Sequence, residues 1–357
     1  MPTTRHRGLI ETFREFLPLP ESVRIISLNE GNTPLIRLDS LPDSQGVDAE
    51  IYVKFEGLNP TGSFKDRGMT VAVTQALHEG SRAVICASTG NTSASAAAYA
   101  ARAGLAAFVL IPEGKIALGK LAQAMIHGAQ VLQIQGDFDD GMRLVRELGE
   151  SLPITIVNSI NPYRLHGQKT AAFEILQQLG QVPQYHCLPV GNAGNVSAHW
   201  MGYTEARAAG LTSRLPVMTG YQAAGAAPFL AGAPVPRPET IATAIRIGAP
   251  QSWDLAWRAQ RESGGWFAAL TDEEILAAQK LLAEQEGIFC EPASAISVGG
   301  ALRDLKSGRI PPGSRIVCTL TGNGLKDPDT AIAQSSRPQV LPAQRGAIEK
   351  ALAAKLH

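Results

Sequence analysis

The chain has 357 residues, 45% of them hydrophobic and 18% charged, so it can bury a large core and is too long for one small binding module. Its 32 basic and 32 acidic residues cancel, so overall charge gives no support for a nucleic-acid or membrane-surface partner. No C-x-x-C pair occurs among the four widely spaced cysteines, which argues against a zinc site or a disulfide framework and favours a reducing cytosol: Cys86, Cys187, Cys290 and Cys318. We therefore expect a cytoplasmic protein of about two domains, with no signal peptide, membrane span or bound metal.

Short apolar runs alternate with helix-length amphipathic runs from Ile51 onward, and Gly, Asn, Ser or Thr occupies most junctions. This alternation predicts a parallel α/β architecture. The predicted strands are Ile51–Phe55, Ala83–Ala87, Ala107–Ile111, Val131–Ile134, Ile154–Val157, His186–Val190, Pro216–Tyr221 and Arg315–Leu320. The predicted helices include Ser93–Ala103, Phe138–Leu148, Gln168–Leu179, Val196–Ala209, Thr271–Glu286 and Ala293–Leu305. The segment Ala223–Arg237 is predicted to be a long loop, and the polar tail beyond Pro328 a loosely attached extension.

A lysine lies between two glycines shortly after the first predicted strand, in the sequence Asn59-Pro60-Thr61-Gly62-Ser63-Phe64-Lys65-Asp66-Arg67-Gly68. A single loop lysine is most often a solvated side chain. In a cleft of low dielectric constant, however, a lysine can lose its proton and condense with a carbonyl group. Lys65 is therefore a candidate amine nucleophile.

Three further junctions place small and polar residues at the ends of predicted strands, where ligands of open α/β sheets bind. They are Ser88-Thr89-Gly90-Asn91-Thr92, Gly191-Asn192-Ala193-Gly194-Asn195 and Thr321-Gly322-Asn323-Gly324. The first could bind an anion at a helix N-terminus, and the second could let a phosphate approach the backbone closely. An ordinary helix cap or tight turn also accounts for each of them taken alone. Two phosphate-binding junctions and a reactive lysine are together what pyridoxal 5'-phosphate requires.

These residues resemble the fold-type-II pyridoxal-phosphate enzymes and, within that family, the threonine synthases. The family-level likeness lies in the lysine loop, the Ser88–Asn91 loop and the Gly191–Asn195 loop. Motifs typical of the threonine synthases are Asn158–Arg164, Gly167–Thr170, Ala242–Gly248 and Glu291–Ala295. The resemblance implies an α/β fold of two open, twisted, mostly parallel sheets flanked by helices, with the cofactor in the cleft between two domains. Residues 1–50 together with 152–357 would form the larger, cofactor-binding domain, and residues 51–151 the smaller, mobile one.

The resemblance also implies a reaction, the conversion of O-phospho-L-homoserine and water to L-threonine and phosphate by β,γ-elimination and replacement. Lys65 would hold the cofactor as a Schiff base, Asn91 would hydrogen-bond its phenolic oxygen, and Thr321 would face its pyridine nitrogen. Its phosphate would lie in the loop formed by Gly191, Asn192, Ala193, Gly194 and Asn195. The implied substrate-binding residues are Ser88, Thr92, Ser159, Arg164 and Asn192. The family also suggests a homodimer.

Two positions depart from the family pattern. His166 stands where these enzymes usually carry an acidic residue, and Asn323 stands where many carry histidine. Because His166 lies two residues from Arg164, it could alter the charge near the substrate phosphate. The alternative is a conservative exchange at the surface.

Three other functions remain open from the sequence. A threonine or serine dehydratase needs the same lysine but no second phosphate site, so Arg164 is the discriminating residue. A catalytically silent homologue could sense an amino acid or a phosphate, although the intact Lys65 disfavours it. A nicotinamide dehydrogenase is disfavoured because no G-x-G-x-x-G is followed by an acidic residue about 20 positions later.

Overall fold

A computed structural model describes residues 6–114, 118–136 and 138–353 of the chain. Within these ranges the strands are β1 (Leu35–Arg37), β2 (Ala49–Phe55), β3 (Ala83–Ala87), β4 (Ala106–Pro112), β5 (Gln130–Ile134), β6 (Ile154–Ile156), β7 (Tyr185–Pro189), β8 (Val217–Ala223), β9 (Trp266–Leu270) and β10 (Ser314–Leu320).

The α-helices of the same ranges are α1 (Leu9–Thr12), α2 (Leu41–Ser44), α3 (Lys65–His78), α4 (Asn91–Ala103), α5 (Leu118–Ile126), α6 (Phe138–Ser151), α7 (Pro162–Gln168), α8 (Thr170–Leu179), α9 (Gly194–Ala208), α10 (Pro228–Ala231), α11 (Trp253–Ser263), α12 (Asp272–Glu286), α13 (Pro292–Lys306), α14 (Pro328–Gln334) and α15 (Arg345–Ala353). Short 3-10 helices are Arg14–Phe16, Glu56–Leu58, Ala224–Ala226, Thr243–Ile245 and Gly324–Lys326. None of the helices in the described part of the chain combines the length and the apolar character that a bilayer crossing requires.

The strands form two sheets. The larger has six strands in the order β1-β2-β10-β7-β8-β9, and the smaller has four in the order β5-β4-β3-β6. Only β1 is antiparallel to its neighbour among the described pairs. Parallel strands must be covered on both faces, and helices such as α4, α6 and α13 pack on them. The predicted fold class, two mostly parallel sheets flanked by helices, is confirmed.

The two sheets divide the chain at different positions from the predicted domain boundaries. Strand β2 contains residues 51–55 but pairs with β10 in the larger sheet, and β6 contains residues 154–156 but pairs with β3 in the smaller one. The stretch from β3 to β6 is therefore continuous in sequence and builds the whole smaller sheet. The remaining strands come from both sides of it and build the larger sheet.

The eight predicted strands form within two residues at each end. Two strands, β1 and β9, were missed. The predicted helix Gln168–Leu179 is wrong at its start, because α7 ends at Gln168 and a separate helix, α8, begins at Thr170. The predicted loop Ala223–Arg237 is wrong in part, because it contains the short helix α10, whose Phe229 is buried. The tail beyond Pro328 contains α14 and α15, and neither helix has a buried residue.

Candidate active site

The loop that carries Lys65 is bound to the carboxyl end of β10. The backbone N–H of Phe64 donates a hydrogen bond to the carbonyl of Thr321 at 2.9 Å, and Ser63 and Gly322 form an isolated β-bridge. The hydroxyl of Thr321 lies 2.8 Å from that of Ser294. Two of the predicted site residues, Lys65 and Thr321, are thereby brought together by main-chain contacts.

Lys65 begins α3 and is partly exposed as a residue, and its amine lies 4.3 Å from the centre of the Phe64 ring. The pKa of this amine is lowered to about 7, chiefly by burial and in smaller part by the charge of Arg164, while Glu291 opposes the shift. At neutral pH a large fraction of the side chain is therefore unprotonated, which is the state in which an amine attacks a carbonyl.

Asp66, the next residue, fixes the lysine loop to the following helix. Its carboxylate accepts hydrogen bonds from the backbone N–H of Thr61 at 2.7 Å and from the hydroxyls of Thr61 and Ser95, each at 2.6 Å. Burial raises the pKa of Asp66 to about 6, and these hydrogen bonds oppose the rise. Because Ser95 lies on α4, the start of α3 is held against the helix that begins at Asn91.

The Ser88–Thr92 segment follows β3 and opens α4. The hydroxyl of Ser88 accepts a hydrogen bond from the backbone N–H of Gly90 at 3.3 Å, and Thr92 is buried in the first turn of the helix. The amide nitrogen of Asn91 donates to both carboxylate oxygens of Glu291, each at 3.2 Å. Asn91, which follows β3 of the smaller sheet, therefore contacts Glu291, which precedes α13, a helix that packs on the larger sheet.

Ser159 lies in the loop that follows β6, between two asparagines that fix the loop. The side chain of Asn158 accepts from the backbone N–H of Ala87 and donates to its carbonyl, both at 3.0 Å, which joins this loop to the end of β3. Asn161 accepts from the backbone N–H of Tyr163 at 3.0 Å and caps α7. Ser159, which is partly exposed, is thus held beside the Ser88 loop.

Arg164 projects from α7 and is only 1% exposed. Its Nη1 donates to the carbonyl of Val157 at 3.1 Å, whereas Nε and Nη2 have no hydrogen-bond partner among the residues that the structure describes. Burial lowers the pKa of the guanidinium to about 10, so Arg164 stays protonated at neutral pH. A buried cation with unused donors is costly unless an anion pairs with it.

Two glycines let the helices of Lys65 and Arg164 touch through their backbones. A Cβ added at Gly167 would overlap the carbonyl oxygen of Arg67, and one added at Gly68 would lie 2.8 Å from the carbonyl oxygen of Arg164. Such a close approach is possible only without side chains at these two positions. The spacing between α3 and α7 is therefore set by the main chain.

The Gly191–Asn195 loop joins β7 to the 15-residue helix α9. Ala193 has a left-handed conformation, with φ of 63°, and the carbonyl of Asn192 accepts from the backbone N–H of Ser252 at 3.1 Å. A Cβ at Gly194 would lie 3.4 Å from a methyl group of Leu165, so the loop lies beside α7 next to Arg164. The side-chain nitrogen of Asn195 is buried and has no hydrogen-bond partner in the described ranges. A strained turn, a helix N-terminus and an unused donor together favour an anion ligand.

Comparison with known proteins identifies the family. The family described as "Pyridoxal-phosphate dependent enzyme" matches residues 26–322. A protein of Synechocystis sp. named threonine synthase is 59% identical over 93% of this chain and 86% of its own length, and one of Mycobacterium leprae with the same name is 58% identical over 95% and 94%. The structure titled "Structure of maize serine racemase" superposes with a TM-score of 0.74 over 98% of both chains, at 21% identity, and therefore shows the fold alone. The chain belongs to the threonine synthase family of pyridoxal-phosphate dependent enzymes.

The residues of the site fit the cofactor of this family. Lys65 offers an amine with a lowered pKa, and the loop that ends at Asn195 offers an unused buried donor at a helix N-terminus. Thr321 offers a hydroxyl whose position is fixed by Ser294. A carbonyl-bearing phosphate ester with a ring nitrogen needs these three groups.

Each of the two departures from the family pattern has partners of its own in the structure. The ring of His166 lies 3.2 Å from the amine of Lys169, which in turn pairs with Glu205 at 2.6 Å. The pKa of His166 is lowered to about 4, chiefly by burial and in smaller part by the charge of Lys169, so the ring is neutral at neutral pH. Asn323 accepts from the backbone N–H of Leu325 at 3.0 Å and caps a 3-10 turn. His166 therefore adds no charge beside Arg164, and Asn323 has a structural role in the turn.

Sequence reasoning gave no role to three residues that help to build this site: Asn158, Glu291 and Ser294. Each lies within a motif that carries the family resemblance, and membership of that motif was the only sequence signal that could have indicated its role. Their function depends on contacts with residues more than 25 positions away, and no local pattern reports such contacts.

Proposed function

We propose that this chain converts O-phospho-L-homoserine and water to L-threonine and inorganic phosphate. The observation that carries the proposal is Arg164, a buried guanidinium with two unused N–H-bearing nitrogens and no acidic partner among the described residues. A phosphate ester on the substrate would supply the missing anion through charge-assisted hydrogen bonds. A dehydratase, whose substrate has no phosphate, gives no reason for this arrangement.

The residues that would surround the substrate phosphate come from three strand ends. Ser159 precedes the helix of Arg164, Ser88 and Thr92 lie in the neighbouring loop after β3, and Asn192 lies beside α7. Hydroxyls and an amide add neutral donors to the single guanidinium. Donors of this kind stabilise a phosphate most as it leaves and gains charge.

Pyridoxal 5'-phosphate, when bound, would supply an electron-withdrawing ring that stabilises negative charge on the substrate carbons. We propose that Lys65 carries it, that Asn91 contacts its phenolic oxygen, and that Thr321 faces its ring nitrogen. The residues from Gly191 to Asn195 would hold its phosphate, with Asn195 donating through its unused nitrogen.

Lys65 would also move the protons of the reaction. With a pKa lowered to about 7, its amine can take the proton from Cα of the substrate and then one from Cβ near neutral pH. Arg164 would hold the departing γ-phosphate. A proton would then be returned to Cγ, water would add its hydroxyl group at Cβ, and Lys65 would return a proton to Cα. The released phosphate, held by Arg164, would accept the proton of that water.

We further propose that the enzyme is a cytoplasmic homodimer whose partners are small molecules, with no nucleic acid and no membrane among them. The balanced charge of the chain supports the absence of a nucleic-acid or membrane partner. All four cysteines are free and buried in the described part of the chain, which supports a reducing compartment.

The proposed function is tested with purified protein reconstituted with pyridoxal phosphate. We expect phosphate release from O-phospho-L-homoserine with formation of threonine, and loss of both activity and the visible cofactor band in Lys65→Ala. Efficient formation of 2-oxobutanoate from threonine, without phosphate release from O-phospho-L-homoserine, would identify a dehydratase instead. A visible band of full strength in Lys65→Ala would assign the cofactor to another lysine.

A further inference from the structure

Glu291 is a buried carboxylate inside the candidate site that none of the roles above uses. It is 5% exposed, directly precedes α13, and is fixed by its backbone N–H, which donates to the carbonyl of Gly322 at 3.1 Å. Its two carboxylate oxygens both accept from the amide nitrogen of Asn91, each at 3.2 Å. The side chain of Glu291 therefore contacts Asn91, the residue that we propose to hydrogen-bond the cofactor.

The neighbouring backbone leaves room for Glu291 at this place. A Cβ added at Gly322 would overlap its Oε1 atom. Gly322 follows Thr321, so the residue beside the predicted ring-nitrogen partner has no side chain and admits the carboxylate. Because Gly322 has no side chain, the end of β10 packs closely against Glu291, which in turn binds Asn91.

A carboxylate in this position determines which way the amide of Asn91 points. A carboxamide has one acceptor oxygen and a nitrogen with two donor hydrogens, and it can rotate by half a turn with little change in shape. An ionised carboxylate only accepts, so it holds the nitrogen on its own side and leaves the second N–H of that nitrogen for another acceptor. With a neutral partner that can also donate, the amide could turn and present its oxygen lone pairs to the ligand.

We propose that Glu291 is a positioning residue that holds the carboxamide of Asn91 with its nitrogen toward the cofactor, so that Asn91 donates to the phenolic oxygen. This inference rests on the proposed cofactor role of Asn91. Burial raises the pKa of Glu291 above its usual range, and the hydrogen bond from Asn91 and the charges of Lys326 and Lys65 oppose that rise. Glu291 also raises the pKa of Lys65.

The test uses the visible absorption of the holoenzyme as a function of pH, without substrate. A lost donor to the phenolic oxygen changes the protonation equilibrium of the bound chromophore, so we expect Asn91→Ala to displace the midpoint of the spectral transition by about one pH unit. Glu291→Gln should displace the midpoint in the same direction. The double variant should show no larger displacement than Asn91→Ala, because Glu291 acts through Asn91.

Two results would overturn the inference. One is an unchanged midpoint in Glu291→Gln, and the other is a displacement that adds in full to that of Asn91→Ala, since Glu291 would then act on the chromophore directly. If Glu291→Gln does not fold, Glu291→Asp serves instead, because its shorter carboxylate cannot reach the amide and should give the same displacement. An unchanged midpoint in that variant would count equally against the role.

A matched control and the parent enzyme separate this inference from the proposed function. Glu284→Gln removes a charge from an exposed glutamate of α12 and should leave the spectrum unchanged. Coupled displacements in a protein that releases no phosphate from O-phospho-L-homoserine would reject the proposed reaction alone. A parent protein with no visible cofactor band would reject both.

Discussion

Arg67 and Arg164 are two arginines of adjacent helices, each 1% exposed, with opposite surroundings. Arg67 pairs with Glu56 through Nε and with Glu174 through Nη2, both at 2.6 Å, and every guanidinium nitrogen has a partner. Arg164 makes one hydrogen bond, to a backbone carbonyl. Accordingly, the carboxylates raise the pKa of Arg67 despite its burial, whereas burial lowers that of Arg164.

The difference separates a cation that stabilises the fold from one that we propose binds a ligand. Around Arg67, Lys54 adds a second cation and binds Glu174 at 2.8 Å, so two positive and two negative groups balance inside the core. A buried network of this kind is satisfied without any ligand. Arg164 has no such carboxylate partner among the described residues, so its burial lowers the stability of the fold, and an anion bound as we propose would offset that cost.

Arg67→Leu should cause the largest loss of unfolding free energy and so test the structural role of Arg67 against the proposed ligand role of Arg164. The substitution leaves Glu56 and Glu174 buried with Lys54 as the remaining cation of the network, and removal of one member of such a network costs about 3 to 5 kcal/mol of unfolding free energy. Urea unfolding of the apoprotein measures this loss. Arg143→Leu is the matched control, because Arg143 is exposed and solvent screens its pairs with Asp140 and Glu147, so little unfolding free energy should be lost. Similar losses in both variants would contradict the structural role of Arg67.

Arg164→Leu should affect activity and not stability. Loss of a charge-assisted contact to the substrate phosphate should lower kcat/KM by roughly 30- to 1000-fold, or about 2 to 4 kcal/mol. The unfolding free energy should not fall, because the variant removes a buried charge without a counter-ion. Steady-state phosphate release and urea unfolding measure the two quantities. A loss of stability equal to that of Arg67→Leu would make Arg164 a structural residue as well.

Inorganic phosphate should stabilise the parent holoenzyme and not its Arg164→Leu variant. At a concentration of about ten times its Kd, a ligand that binds only the folded state adds about 1.4 kcal/mol to the unfolding free energy. The holoenzyme is required because the Gly191–Asn195 loop of the apoprotein is itself a proposed phosphate site. Equal stabilisation of parent and variant would place the bound phosphate elsewhere.

The smallest effect concerns the pH at which Lys65 becomes reactive. The rate of cofactor association with the apoprotein should rise with pH through about 7, because only the unprotonated amine reacts and burial lowers the pKa of Lys65. Arg164 lowers that pKa further, so Arg164→Leu should move the midpoint to higher pH, by up to about one pH unit. Stopped-flow absorbance measures the association rate. A midpoint that moves to lower pH would show that Arg164 does not act on Lys65 through its charge.

The sequence was most informative where local pattern determines structure. Apolar runs of β-branched residues, such as those of β3 and β10, predicted their strands closely because each run is buried on both faces. Strand β9 was missed because Gly264 and Gly265 precede it and two alanines lie within it. Helix α3 was missed because its first turn was interpreted as part of a loop.

The candidate site residues likewise divide into those with a local sequence signature and those that depend on long-range contacts. Lys65 and the glycine loop after β7 have short sequence signatures, whereas the burial and the unused nitrogens of Arg164 depend on α3, β6 and the β3 loop meeting in space. Arg67 shares a motif with Lys65, yet no property of that motif indicates that its partner is Glu174, 107 positions away. Long-range partners of this kind are fixed by topology and escape local patterns.

The glycine contact between α3 and α7 fixes the spacing of two side chains in the candidate active site. Since Gly68 and Gly167 bring the two backbones together, the positions from which Lys65 and Arg164 project are set by main-chain atoms and do not change when neighbouring side chains do. With the proposed roles of Lys65 and Arg164, the distance from the amine to the guanidinium would select the number of carbons between the amino group and the phosphate of a substrate. A change in that preference would then require the two helices to move apart or together.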